Sequence, residues 1–429
     1  MKFRPALLAT FVVASACADD RGPSGAGGWR TEITTAGDTT VVRTVGASAE
    51  AAVLELVEEV SIGRADGPTD EMFATIREVV PLAAGGVLVY DGGLRLLREY
   101  DAGGAHVRTI GGRGQGPGEY QSPGGIAVGT GGTIFLWDRT IRRLLRYSSS
   151  GAFGGYWDVP LYQWGGASEV LIADLGDKVF LRVTLPDPRR ESERTPRGEA
   201  FTTEAAVRIA GDGSVTDTIL APRRPTAAEQ GMITLNITLG RQVVQSHAAA
   251  PLMPEYHATF SPLGYFISAH GGSYSILLHR GSGGPLRIES DVARVRASEE
   301  ERKALAEEFE ASIRRSRASV TDRWEVPETK PFFSGLEALR ADADGRIWAR
   351  LHWTATLAGG ETDTVGIAKW VEPVVYDVFE PDGTFMGRLQ PPSRSEYAAA
   401  RGDKLWLILR DEFDVQRLAR FRIVRSDRR

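Results

Sequence analysis

Apolar residues fall in short, dense runs, and each run is entered through a glycine-marked turn. Six such runs follow one another: Gly85–Tyr90, Gly132–Trp137, Gly176–Leu181, Gly264–Ile267, Gly345–Ala349 and Gly402–Ile408. Their apolar positions are consecutive rather than alternating, so each predicted strand must be covered on both faces. A further strand follows each run: Leu96–Tyr100, Leu144–Tyr147, Ala206–Ile209, Ser275–Leu278, Val374–Phe379 and Leu418–Ile423. Turns such as Gly211-Asp212-Gly213 and Pro381-Asp382-Gly383 then reverse the chain, because Asp-Gly and Gly-Gly accept the positive φ of hairpin turns. An outer strand comes next in five of the six repeats, for example His106–Ile110 and Thr384–Leu389. The sixth repeat ends the chain without one. Val53–Ile62, near the other end, carries the same kind of pattern and is expected to fill that place.

A unit repeated at this length means stacked supersecondary elements. The marker glycines Gly86, Gly132, Gly176, Gly264, Gly345 and Gly402 are 46, 44, 88, 81 and 57 residues apart. About 40–45 residues suffice for a propeller blade, so the later repeats carry insertions. Strands buried on both faces suit blades packed face to face, whereas a sandwich strand alternates apolar and polar positions. The expected fold class is all-β: a six-bladed β-propeller of four-stranded antiparallel blades, closed by an N-terminal strand (53–62), with one inserted helix (298–317). Ser298 and Glu301 form the helix's capping box, Leu305, Phe309 and Ile313 share one face, and acids lead while bases close it. That helix either packs over a blade edge or serves as a lid or docking element. Pro186 to Gly198, rich in charge and proline, reads as a mobile surface loop.

The formal charge of −5 on 429 residues gives no clustered basic surface, so nucleic acid is not an expected partner. The 49 glycines and 22 prolines suit many tight turns. One cysteine is present, and its place matters: Lys2 and Arg4 precede the apolar run Ala6–Ala16, which ends Ala14-Ser15-Ala16-Cys17. This is the layout of an export signal, too short to span a membrane. It resembles a bacterial lipobox, in which Cys17 becomes the lipid-modified first residue; cleavage by an ordinary signal peptidase, giving a secreted soluble protein, is the alternative. Residues 1–16 are then a signal peptide, 17–28 a flexible tether and 29–429 the propeller. Removing Lys2 and Arg4 takes the charge from −5 to −7. The expected localisation is the cell envelope, with the membrane touched through the lipid anchor only, and the protein is expected to be a monomer.

Gly111-Gly112-Arg113-Gly114-Gln115-Gly116-Pro117-Gly118-Glu119-Tyr120, followed by Ser122-Pro123, joins one repeat to the next. In this run the chain resembles the bacterial six-bladed β-propeller lipoproteins related to NHL-repeat proteins. The resemblance implies fold and export. Relatives in the wider propeller class bind ligands or proteins on one face, and a few are hydrolases or lactonases.

The glycine run is no phosphate cradle, since a strand follows it and Gly-Lys-Ser/Thr opening a helix is missing. No Gly-x-Ser-x-Gly elbow supports a hydrolase triad. Asp91, Asp138 and Asp411 each lie at or just beyond the end of a two-sided apolar strand; the repetition suits a structural turn better than a calcium site. The inner strands would line a central channel, and their polar residues Arg77, Glu78, Asp174, His257, Glu337, Arg340 and Glu396, with Glu169, are the candidate ligand-binding positions. No cofactor and no metal is expected. The functional expectation is a binding or scaffold module for a small molecule or an envelope protein. The alternative is a lactonase-like envelope hydrolase using a channel-bound divalent cation.

Overall fold

The computed structural model describes residues 28–47, 53–159, 166–174, 178–193, 201–210, 212–239, 242–335, 337–362 and 368–425. The signal run, Cys17, the tether up to residue 27, Gly176 and residues 194–198 of the charged loop lie outside them.

Four-stranded antiparallel units recur along the chain. The first comprises Ile76–Pro81, Val87–Asp91, Leu96–Tyr100 and His106–Ile110; the second Pro123–Val128, Ile134–Asp138, Arg143–Tyr147 and Phe153–Asp158. The third comprises Gly166–Ala173, Val179–Pro186, Thr202–Ile209 and Val215–Leu220; the fourth Tyr256–Ser261, Tyr265–His270, Ser275–Leu278 and Leu286–Ser290. Leu339–Ala341, Ile347–Leu351, Val375–Phe379 and Phe385–Leu389 form the fifth. In the last unit Ser395–Arg401, Lys404–Arg410 and Gln416–Arg425 are joined by Val53–Ile62, which pairs antiparallel with Gln416–Arg425 from Leu54↔Arg425 to Ile62↔Leu418.

The consecutive apolar positions divide between two neighbours, as their two-sided burial requires. In the first unit Val87 and Val89 face one cluster, with Trp406, Ile408 and Leu418 of the last unit. Leu88 and Tyr90 face another, with Ile134 and Leu136 of the second unit. Phe135 and Trp137 pack against Val179 and Leu181, and Phe180 against Phe260 and Phe266. Ile267 and Ala269 meet Ile347 and Ala349, and Trp348 meets Leu405 and Leu407. Each strand thus contributes alternate side chains to the interfaces on its two sides.

Further elements lie outside this frame. A hairpin of Arg30–Ala36 and Thr39–Val45 adds to the outer edge of the fourth unit, with Thr39–Val45 parallel to Leu286–Ser290. The tether-to-propeller reading at residue 29 did not anticipate it. A second insertion pairs Ile233–Leu239 with Gln242–Ala248 and with Ala318–Val320. The helix occupies Glu299–Arg315, with the Glu301 N–H donating to the Ser298 Oγ at 3.1 Å as the capping box predicts. No helix among the described residues is long and apolar enough to cross a membrane.

Candidate functional site

Asp91 and Asp138 are fully buried, and each is a clamp. Asp91 accepts N–H bonds from Ala74 (2.8 Å) and Thr75 (3.1 Å) of the incoming segment, and from Gly93 (2.9 Å) and Leu94 (3.0 Å) of its own turn. Asp138 repeats this with Gln121, Ser122, Thr140 and Ile141. Four donors per carboxylate leave little capacity for a cation. Among the described residues, the Asp411 carboxylate accepts from the Phe413 and Val415 N–H groups of its own exposed turn and from no incoming segment.

Of the channel candidates, Asp174 is buried just beyond its strand, its carboxylate accepting from the Lys178 N–H at 3.2 Å and pairing with the Arg208 guanidinium. Arg77 is exposed, at a bulge between Ile76 and Glu78, with its aliphatic stem over Gly92. Glu337 is exposed and pairs with Arg340, whose guanidinium lies 4.9 Å from the Tyr397 ring centroid. Glu396 is exposed on the neighbouring strand. Glu78 accepts the Ile126 N–H at 2.7 Å across the first-to-second unit interface, and burial pushes its carboxyl up to about 8 against that one opposing bond.

His257 is buried, and its Nε2 has no partner among the described residues. Burial, followed by the charges of His270, His352 and Arg224, pushes it down to about 4. Nearby elements of the fifth unit and of the helix form a polar network that the residue pattern did not reveal. The Lys330 Nζ, fully buried, donates to Glu301 (2.6 Å), to Glu372 (2.7 Å) and to the Trp353 carbonyl (3.0 Å). The Glu372 carboxylate also accepts from the Trp353 N–H (2.9 Å) and from His352 Nδ1 (3.0 Å to Oε1). Because a carboxylate only accepts, His352 carries a proton on Nδ1. Burial acts to raise the Glu372 carboxyl, but the His352 and Lys330 contacts hold it down at about 2. Glu301 was legible as a capping residue. Its carboxylate instead turns inward to Lys330 and ties the helix to the fifth unit.

Beside this tie lies a groove of about 1120 Å³. One wall is the helix face that carries Glu299, Arg302, Lys303, Ala306 and Glu310, positions one turn or so apart. The opposite side is the run from Asp322 to Pro327, and Gly231, Ile233, Met253 and Pro254 close the end. Trp324 stands edge-on to Phe309 of the helix, with centroids 4.9 Å apart, and so joins the two walls. The size is slightly above the usual range for small-molecule pockets, and the lining mixes apolar surface with charges of both signs. None of the channel candidates lines it. Sequence alone offered only the amphipathic helix as a signal, because the groove's walls come from insertions with no repeat to reveal them.

A family model, DUF5128, described as a 6-bladed beta-propeller, matches residues 97–174. No curated protein matches the sequence. Among solved structures, the chain is similar to a DUF4221 family member of Bacteroides vulgatus ATCC 8482, at 11% identity, 87% of this chain and 98% of that one, with a TM-score of 0.47. It is also similar to a Bacteroides fragilis NCTC 9343 protein described as exported, at 11% identity, 90% and 99% coverage and a TM-score of 0.44. A gluconolactonase of Xanthomonas campestris follows at 12% identity, 82% and 87% coverage and a TM-score of 0.35. The recurring four-stranded units and the family match identify the fold as a β-propeller.

Proposed function

We propose that this is an exported propeller acting as a binding module of the cell envelope, with its ligand held in the groove between the inserted helix and residues 322–327. In this reading the units are the blades of a six-bladed ring, closed where Val53–Ile62 completes the last blade. The packing of Trp406, Ile408 and Leu418 on Val87 and Val89 supports that closure. The protein acts as a monomer, anchored through a lipid on Cys17. Cys17→Ser should move it from the membrane fraction to the soluble one; unchanged membrane retention would remove the anchor.

The groove carries the binding reading. It brings together a concave surface, an aromatic ring and side chains, such as Arg302 and Lys303, that have no ion-pair partner among the described residues. The alternative, a lactonase-like hydrolase with a channel-bound divalent cation, predicts instead that chelator and Ca²⁺ shift the melting temperature in opposite directions. The test is a melting-temperature panel of sugars, lactones and peptides on the mature domain and on Ala306→Trp, which fills the groove from the helix side. At 100 times its dissociation constant a ligand stabilises by about 2.7 kcal/mol, a readable shift. The expected result is a shift in the parent domain that Ala306→Trp loses while its unliganded melting point holds. A shift that persists in Ala306→Trp but disappears in Glu78→Gln would move the site to the channel and overturn the proposal.

A further inference from the structure

The inserted helix is tied to the propeller in a different way from the blades. Its excursion leaves and re-enters the frame through a narrow neck. There the Ala297 N–H donates to the Glu328 carbonyl (2.9 Å), the Lys330 N–H donates to the Val295 carbonyl (2.8 Å), and Arg296 faces Thr329 in an antiparallel bridge. Beyond the neck lie Glu299–Arg315, Ala318–Val320 and the wall from Asp322 to Pro327. The other long insertion joins this excursion: Ile233–Leu239 pairs with Ala318–Val320, and the Thr234 N–H donates to the Asp322 carboxylate at 2.6 Å.

Apolar burial stops at the neck. Among the described residues, the clusters that hold neighbouring units together include none from Ile233–Leu239, Gln242–Ala248 or 298–327. Only Glu301 and Ala311 of the helix are buried, whereas Leu305, Phe309 and Ile313 are half-buried. The main neighbours of the helix, Ala318–Val320 and Ala368–Val371, are insertion strands as well. What grips its first turn is a cation. The Lys330 Nζ reaches from the returning strand of the neck to Glu301 (2.6 Å) and, on the fifth unit, to Glu372 (2.7 Å) and the Trp353 carbonyl (3.0 Å).

We propose that Glu299–Arg315, Ala318–Val320 and the hairpin of Ile233–Leu239 and Gln242–Ala248 form a lid, one cooperative unit that swings on the neck and that Lys330 latches shut. A segment with few buried apolar contacts opens at lower cost than the core it stands on. An ionic latch suits such a motion, because hydration of the parted charges offsets much of the attraction lost. Trp324 travels with the helix through its contact with Phe309. Pro254 stays behind, lying against Gly271 at the end of Tyr265–His270. The groove is therefore complete only while the lid is shut.

Native-state amide exchange, read by mass spectrometry on the mature protein in urea below its unfolding midpoint, tests the lid. Amides of Glu299–Arg315, Ala318–Val320 and Ile233–Leu239 should share one opening step, at least about tenfold more frequent than the step that exposes Val87–Asp91 and Ile134–Asp138. Lys330→Met should speed the shared step by about a hundredfold or more and Glu301→Gln by about tenfold, with Val87–Asp91 and Ile134–Asp138 unchanged. If Lys330→Met does not fold, Glu301→Gln carries the test. Exchange of the lid elements only together with the blade strands would overturn the proposal. So would a Glu301→Gln protein in which the helix quickens while Ile233–Leu239 does not, the mark of a helix fraying alone, or one in which neither responds.

Discussion

Asp91 and Asp411 look alike in sequence, each beside the end of a two-sided apolar strand, yet removing them should have unequal consequences. The Asp91 carboxylate takes four backbone N–H groups, three on Oδ1 (Thr75, Gly93, Leu94) and one on Oδ2 (Ala74). Two of these donors belong to its own turn, where water can replace the carboxylate, since Leu94 is 41% exposed. The other two tie the incoming segment to the strand. A hydrogen bond to a charged group contributes about 1.5–3 kcal/mol net, so losing the two tying bonds in Asp91→Ala should cost about 3–6 kcal/mol. That is a large part of the stability of a typical domain. Asp411 is exposed and serves only its own turn, so Asp411→Ala should cost under about 1 kcal/mol. Asp91→Asn should fall between them, because an amide keeps one acceptor oxygen and sets an N–H₂ against the donor that faced the other. Urea unfolding followed by far-UV circular dichroism measures all three, with the midpoint moving and the slope unchanged. Equal losses for Asp91→Ala and Asp411→Ala would refute the clamp, as would an Asp91→Asn variant as stable as the parent.

Lys330→Met leaves Glu301 and Glu372 buried without their shared cation, so it should destabilise by about 3–5 kcal/mol. Amide exchange should quicken in the helix's first two turns, where Glu301 is the inward tie; unchanged exchange there would mean that the helix is held by other contacts. Glu78 gives a pH dependence of opposite sign to an ordinary paired carboxylate. Its folded-state value of about 8 exceeds its ordinary 4.5, so the native state holds the proton longer than the unfolded one. The associated stability is complete below pH 4.5 and is lost as pH rises towards 8. Glu78→Gln should flatten that decline, and a parallel pH profile for the two proteins would show that Glu78 ionises normally.

The frame was legible because its burial is two-sided and repetitive. Val87, Val89, Leu88 and Tyr90 are all apolar since alternate members face different neighbours, and a run of that kind announces itself. Val53–Ile62 was legible by default, as the strand left over when the last unit had no chain to spare. Individual roles were less so. His270 stands where the pairing of Ile76 with Asp91 would place an aspartate, facing Tyr256, and its Nδ1 accepts the Gly272 N–H at 3.2 Å. A clamp position can thus change residue type, which hides it from a motif. Lys330 has no signature at all. Its burial depends on Glu301, Trp353 and Glu372, from three separate stretches of chain.

The spacing of the marker glycines locates the surplus chain. The first two repeats are 46 and 44 residues long, while the steps from Gly176 to Gly264 and from Gly264 to Gly345 are 88 and 81. The surplus of the first of these long steps supplies Ile233–Leu239 and Gln242–Ala248; that of the second supplies the helix and Ala318–Val320. The fifth unit adds a hairpin of Thr356–Thr362 and Ala368–Val371, just before Glu372. Independent surface decorations would have no reason to touch one another. These do: Ala318–Val320 pairs with Ile233–Leu239, Trp324 packs on Phe309, and Lys330 joins the helix to the end of the fifth unit's hairpin. Burying a lysine and two carboxylates to brace such a layer carries a desolvation cost that hydrophobic packing would have avoided. The cost is intelligible if what matters is the position of the helix relative to residues 322–327, the two walls of the groove. On that argument, Glu301→Gln, which weakens the tie without touching the lining, should reduce groove binding, whereas Glu307→Gln, exposed on the same helix and outside the lining, should leave it intact.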